Sequence, residues 1–98
     1  MDLNSVLIEG VIQSTSDARK NTGYWIGLES KSRDHKLGAD TIDLFTINVR
    51  DVDHYPASSH QPGQRIRVLG KLQHSARKGL TILAFAVEKT VTTKALNP

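Results

Sequence analysis

The sequence contains no cysteine, which excludes disulfide staples, thiolate zinc sites and a cysteine nucleophile and leaves four scattered histidines as the softest ligands. Long apolar runs are missing too. No stretch approaches the roughly 20 residues of a membrane-spanning helix, and Met1 to Glu9 has neither the basic start nor the apolar segment of a secretory signal. A cytoplasmic location is expected. Proline is scarce, with three residues, and glycine numbers seven, so no tract reads as low-complexity. Aromatic residues make up only 5% of the chain and include a single tryptophan, Trp25, so any role needing a large exposed ring falls on few positions. Catalytic signatures are absent: there is no Gly-x-x-x-x-Gly-Lys, no Gly-x-Ser-x-Gly and no histidine pair at ligand spacing. Asp51, Asp53 and His54 lie close together, yet an acidic loop in mid-domain is ordinarily solvated. The chain reads as non-enzymatic, with no cofactor and no metal.

What is present is one domain's worth of chain, 98 residues with 38% apolar and 23% charged content, a composition that folds around one core. The formal charge is +3, and its distribution is uneven. Residues 1–64 hold six Lys/Arg against nine acids, a net of −3, whereas residues 65–98 hold seven against Glu88 alone, a net of +6. A basic C-terminal third is either a footprint for a polyanion or a solvated surface.

Alternating apolar and polar residues between turn clusters predict five strands. The first covers about Leu3 to Ile12, with Val6, Ile8 and Ile12 on one face and Leu3, Leu7 and Val11 on the other. Gly10 inside it marks a bend or bulge. Ser14 to Gly23 reads as a loop, followed by a strand over Tyr24 to Ser30 in which Tyr24, Ile26 and Leu28 oppose Trp25, Gly27 and Glu29. A polar loop is expected over Lys31 to Asp40, then a strand over Thr41 to Val49, with Phe45, Ile47 and Val49 opposite Ile42, Leu44, Thr46 and Asn48. Asp51 to Gly63 has room for a short helical turn before Pro62-Gly63. Arg65 to about His74, with Gly70 inside, and Leu80 to Val87 or a little beyond form the last two strands, joined by the tight Ser75–Gly79 turn. Residues 92–98 read as a flexible tail on a domain spanning 1–91.

Five strands, a bent first strand, an irregular segment between strands three and four and a closing hairpin predict an all-β, five-stranded OB-fold Greek-key barrel, with an SH3-like barrel as the alternative. Ligands of OB-folds lie on strands two and three, between the loops joining strands one to two and four to five. On that plan Arg19 and Lys20 fall on the first loop, Lys31, Arg33 and Lys36 on the second, and Arg77 and Lys78 on the fourth. Three basic loops converge on one face.

The order of short motifs resembles the bacterial single-stranded DNA-binding protein family over roughly residues 3–90. Asn4-Ser-Val-Leu-Ile-Glu-Gly-Val-Ile12 is similar to its opening strand, Asp40-Thr-Ile-Asp-Leu-Phe-Thr-Ile-Asn-Val49 to its third, and Pro62-Gly-Gln-Arg-Ile-Arg-Val-Leu-Gly-Lys-Leu-Gln73 to its fourth. The resemblance implies an OB-fold that assembles as a homodimer or homotetramer and binds single-stranded DNA with little sequence preference, in replication, recombination or repair. Two departures stand out. Ile42 and Asn48 occupy strand-three positions where the family commonly has aromatic rings, and a loop position usually filled by Trp is polar, near Arg33 and Asp34. Base stacking contributes about 1–3 kcal/mol per base, so binding here leans on charge. The stretch after the core shows neither a Gly/Pro/Gln-rich linker nor an acidic Phe-terminated end, and in this it looks like the primosomal replication protein branch of the superfamily.

Trp25 opposes the core residues of its strand and is expected on the outer face, either stacking on a base or buried at a subunit interface. Phe45 and Phe85 are expected in the core, and Tyr55 as a packing plug beside Pro56. Ile42, Leu44 and Thr46 offer an apolar floor for bases or pack against a loop or a partner subunit. Arg67 and Lys71, with Arg65, are expected to face solvent and track phosphates. The expected nucleic-acid site therefore comprises Trp25, Ile42 and Leu44 with Arg19, Lys20, Lys31, Arg33, Lys36, Arg67, Lys71, Arg77 and Lys78. The competing expectation is a protein-interaction module whose strand-three face and basic loops bind replication proteins. Leu3, Leu7 and Val11 need cover beyond a barrel interior, which predicts self-association.

Overall fold

Five strands and one short helical turn make up the computed structural model, which describes residues 3–19 and 22–90. They are β1 (Val6–Thr15), β2 (Tyr24–Asp34), β3 (Ala39–Val49), a single 3-10 turn (Ala57–Ser59), β4 (Arg65–Ser75) and β5 (Gly79–Lys89). The strands close into a barrel in the order β1-β2-β3-β5-β4. β1 closes it alone: its first half pairs antiparallel with β4, from Val6 opposite Gly70 to Val11 opposite Arg65, and its second half pairs with β2. β3 meets β5 in parallel through Ile47 and Asn48 opposite Ile82 and Leu83. That arrangement is the OB-fold, as the strand pattern predicts, and not the SH3-like alternative.

The period-two residues face inward. Ile12, Tyr24, Ile26, Leu28, Ile47, Val49, Ile66, Val68, Ile82 and Val87 form the buried core, each large side chain contributing about 1.5–3 kcal/mol by leaving water. Two of the strand-interior glycines sit where backbones approach closely: a Cβ at Gly10 would run into the Glu29 carbonyl, and one at Gly70 into the Leu83 carbonyl. Only glycine lets the backbones approach there.

The segment between β3 and β4 packs Val52, Tyr55 and Ala57 against the core. The Tyr24 hydroxyl donates to the Tyr55 carbonyl at 2.8 Å, and burial pushes the Tyr24 phenol up to about 12. His60 is also buried there, with neither ring nitrogen hydrogen-bonded among the described residues. Burial and, secondarily, the Lys89 charge push its pKa down.

Three expectations need correction. β1 runs from Val6 to Thr15 rather than from Leu3 to Ile12, because Ser14 and Thr15 still pair with Gly27 and Ile26 after a register shift. The region expected as a loop over Lys31 to Asp40 is mostly strand: β2 and β3 pair without interruption to Asp34 opposite Ala39. This arm projects past the barrel, where neither face is buried, so the apolar alternation that marks a strand fades out. The turn is fastened by Asp34, whose carboxylate accepts from the Lys36 and Leu37 amides at 2.9 and 3.1 Å. Phe85, expected in the core, is 54% exposed. Leu69 pairs with Ala86 while Gly70 pairs with Ala84, so Phe85 is the extra residue of a bulge and the inward parity switches from Ile82 and Ala84 to Val87. The expected flexible tail over residues 92–98 lies outside the described residues.

Candidate nucleic-acid interface

The outer face of the β2–β3 sheet follows from the same alternation that builds the core. Trp25, Gly27, Glu29, Lys31 and Arg33 stand on β2 opposite Asn48, Thr46, Leu44, Ile42 and Asp40 on β3. At about 3.3 Å per residue, the row from Trp25 to Arg33 extends over about 26 Å.

At one end of this row the β1–β2 loop and the β4–β5 turn rise on either side of Trp25. The loop is tied to the tryptophan's own backbone: the Trp25 amide donates to Ser16 Oγ at 2.9 Å and the Ser16 amide donates to the Trp25 carbonyl at 3.0 Å. Further along, Arg19 and Gly23 exchange backbone hydrogen bonds of 2.9 and 3.0 Å, which pinches the loop and fixes Arg19. From the other side Lys78 places its ammonium 4.9 Å from the Trp25 ring centroid, within the roughly 6 Å of a cation–π contact. Ser16, Asp17, Arg19, Trp25, Arg77 and Lys78 line an open cleft of about 440 Å³ between the two loops. Four expected site residues from three separate segments are thus brought together.

The other expected residues distribute differently. Lys31 and Ile42 are directly paired on the projecting arm, next to Leu44, and Arg33 lies 3.7 Å from Asp40 at the end of the row. Lys36 is in the turn that closes the arm. Ile42 and Leu44 are exposed, forming an aliphatic strip beside the cations. Lys71 joins the face from the far side: Trp25 pairs with Asn48, Asn48 with Leu83 and Leu83 with Lys71, one row across four strands. Arg67 departs from expectation. It lies on the β1–β4–β5 wall, where its guanidinium contacts Glu9 and Glu88 at 3.2 Å each, so two carboxylates offset its charge. Lys20 lies outside the described residues.

Sequence reasoning missed the part played by Asn48. It is 3% exposed, and its amide donates to the Thr22 and Tyr24 carbonyls at 2.9 and 3.2 Å while its oxygen accepts from Arg50 Nε at 2.9 Å. It therefore buttresses the base of the β1–β2 loop from beneath. The signal was a strand residue that is polar, short and amide-bearing beside a loop of Ser, Thr and Asn.

No protein-family model matches the sequence, and no curated protein matches it. Solved structures do match in shape. A small single-stranded DNA-binding protein from Streptomyces coelicolor superposes with a TM-score of 0.74 at 21% identity, covering 93% of this chain and 96% of that one. This chain has the fold of that protein. A Plasmodium falciparum single-stranded DNA-binding protein solved in complex with single-stranded DNA matches with a TM-score of 0.69 at 17% identity, over 93% of this chain and 97% of that one. The PriB protein of Ralstonia solanacearum matches with a TM-score of 0.68 at 11% identity, over 91% and 100%. Both bacterial groups anticipated from the motifs therefore share this OB-fold.

Proposed function

We propose that this protein binds single-stranded DNA with low sequence specificity, without catalytic activity, and serves DNA replication, recombination or repair in the cytoplasm. The observation that carries this reading is the cleft in which Arg19, Arg77 and Lys78 surround the half-buried Trp25. A base slides over the indole in place of the Lys78 ammonium, and the freed ammonium, with Arg19 and Arg77, pairs with the flanking phosphates. From there the strand follows the β2–β3 face, with Ile42 and Leu44 as an aliphatic floor and Lys31, Arg33 and Lys36 along the backbone. The fold match to a protein solved with single-stranded DNA supports the reading that DNA is the ligand.

The assembly belongs to the opposite wall. Leu7, Leu69 and Ala86 stand in one cross-strand row on β1, β4 and β5, with Phe85 beside them, and Leu7, Leu69 and Phe85 are exposed. Glu9, Arg67 and Glu88 form the adjacent charged row. Such a face, apolar with both charge signs at its rim, suits a second copy of the same chain, giving a homodimer or homotetramer.

The test is a titration with oligothymidylate followed by Trp25 emission. Quenching that weakens steeply with salt, with a log–log slope near −0.7 per phosphate neutralised, is the expected result, and Trp25→Ala together with Lys78→Ala, followed by the anisotropy of a dye-labelled oligothymidylate, should abolish tight binding. Absence of binding at low salt, with a salt-insensitive complex formed instead with a replication protein, would replace this reading by the protein-interaction module.

A further inference from the structure

The Trp25 cleft contains one group that a purely phosphate-binding site would exclude. Asp17 shares the cleft with Arg19, Arg77 and Lys78, yet among the described residues its carboxylate forms no ion pair or hydrogen bond. Glu9, Asp40 and Glu88 pair with arginines and Asp34 and Asp51 accept from backbone amides, while Glu29, Asp43 and Asp53 share the unpaired state among the described residues; of the unpaired carboxylates Asp17 is the one that lines the Trp25 cleft. The backbone next to Asp17 is held, since its neighbour Ser16 is hydrogen-bonded to Trp25 through both its amide and its hydroxyl, and the Asp17 side chain itself is exposed. An acceptor-only group thus stands on the wall beside the one ring that can fix the plane of a base.

We infer that Asp17 reads the edge of the base stacked on Trp25 and gives this one nucleotide position a preference for guanine. The inference rests on the single-stranded DNA reading above. A carboxylate beside a phosphate path repels the backbone, and once the phosphates engage Arg19, Arg77 and Lys78 its favourable partner in the cleft is a hydrogen-bond donor on the base. Guanine presents two adjacent donors, N1–H and N2–H, which match the two carboxylate oxygens in a bidentate pair. Adenine and cytosine present one amino group next to an acceptor nitrogen. Thymine presents a single N3–H flanked by two carbonyl oxygens that the carboxylate repels. The face beyond the cleft carries cations and aliphatic side chains with Glu29 and Asp40, and the rest of the strand is bound through its backbone.

The experiment compares the full chain and its Asp17→Asn variant by Trp25 emission. The probes are an eight-nucleotide oligothymidylate and a set in which one thymidine at a time is replaced by deoxyguanosine. For the natural chain, at least one guanine-containing oligomer should bind about tenfold tighter than the all-thymine one, the order expected of a bidentate contact. In the variant the all-thymine oligomer should bind tighter than before, because the repulsion is gone, while the guanine advantage falls below twofold. This crossing of effects is one that a merely structural loop residue does not produce. If Asp17→Asn tightens every oligomer by the same factor, or if the natural chain shows no guanine advantage, the base-reading role is overturned while single-stranded DNA binding stands. If no oligomer binds at low salt, both readings fall together.

Discussion

The Tyr24 hydroxyl donates to the Tyr55 carbonyl at 2.8 Å across the barrel floor, joining the first residue of β2 to a loop 31 positions away in the chain. Tyr24→Phe removes the donor and leaves that carbonyl unsatisfied, which should cost about 1–2 kcal/mol in denaturant unfolding. The phenol also predicts an alkaline limit. Its folded pKa of about 12 exceeds the usual 10, so the unfolded chain releases the proton first. Stability is then full below pH 10 and declines as pH rises from about 10 to 12. Unfolding midpoints across that range should fall less in Tyr24→Phe than in the natural chain.

His60 works in the opposite sense. Its pKa is lowered from 6.5 by burial, with a contribution from Lys89, so the unfolded state binds a proton that the folded state refuses. Stability is complete above about pH 6.5 and is lost as pH falls through the lowered folded value. Thermal melts from pH 7 to 4 should show this loss, and His60→Phe, which removes the titrating ring from a site where it has no hydrogen-bond partner among the described residues, should reduce its slope.

Asn48 bears on binding through the loop it supports. Asn48→Ala leaves the Thr22 and Tyr24 carbonyls without their side-chain donor, a loss of about 1–3 kcal/mol in stability. Affinity for oligothymidylate should fall with it, because Arg19 is no longer held beside Trp25. The buried core should keep its hydrogen-exchange protection while the amides of the β1–β2 loop lose theirs.

Phe85 separates assembly from folding. Being exposed on the bulge of β5, it can be changed to Ser with little effect on folding, within about 0.5 kcal/mol. Light scattering should show Phe85→Ser shifted toward monomer relative to the natural chain. A natural chain that is strictly monomeric at micromolar concentration would remove the assembly reading.

The barrel was legible because period-two burial is a local signal: Tyr24, Ile26 and Leu28 announce an inward face, and Gly10 and Gly70 announce bends. The features that escaped depend on chain segments far apart. The β2–β3 arm leaves the barrel at Ser30, and strands solvated on both faces lose the alternation that reveals them. Phe85 turns outward because of a bulge opposite Leu69 and Gly70, and no feature of β5 taken alone reports the register of β4. Arg67 resembled a free cation until Glu9, 58 residues earlier in the chain, was brought within 3.2 Å. Within the site, Trp25 and the loop cations followed from the fold plan, whereas Asp17 became visible only when two loops were seen to face each other.

The way β1 closes the barrel also sets a timetable for folding. β2 with β3 and β4 with β5 are hairpins that close over short loops, events of about 1–10 μs. β1 instead must find β4, some 60 residues downstream, a search whose entropy cost slows folding. During synthesis the first half of β1 therefore waits until β4 has emerged, while its second half has β2 at hand. Until then Val6, Leu7 and Ile8 stay open to wrong partners.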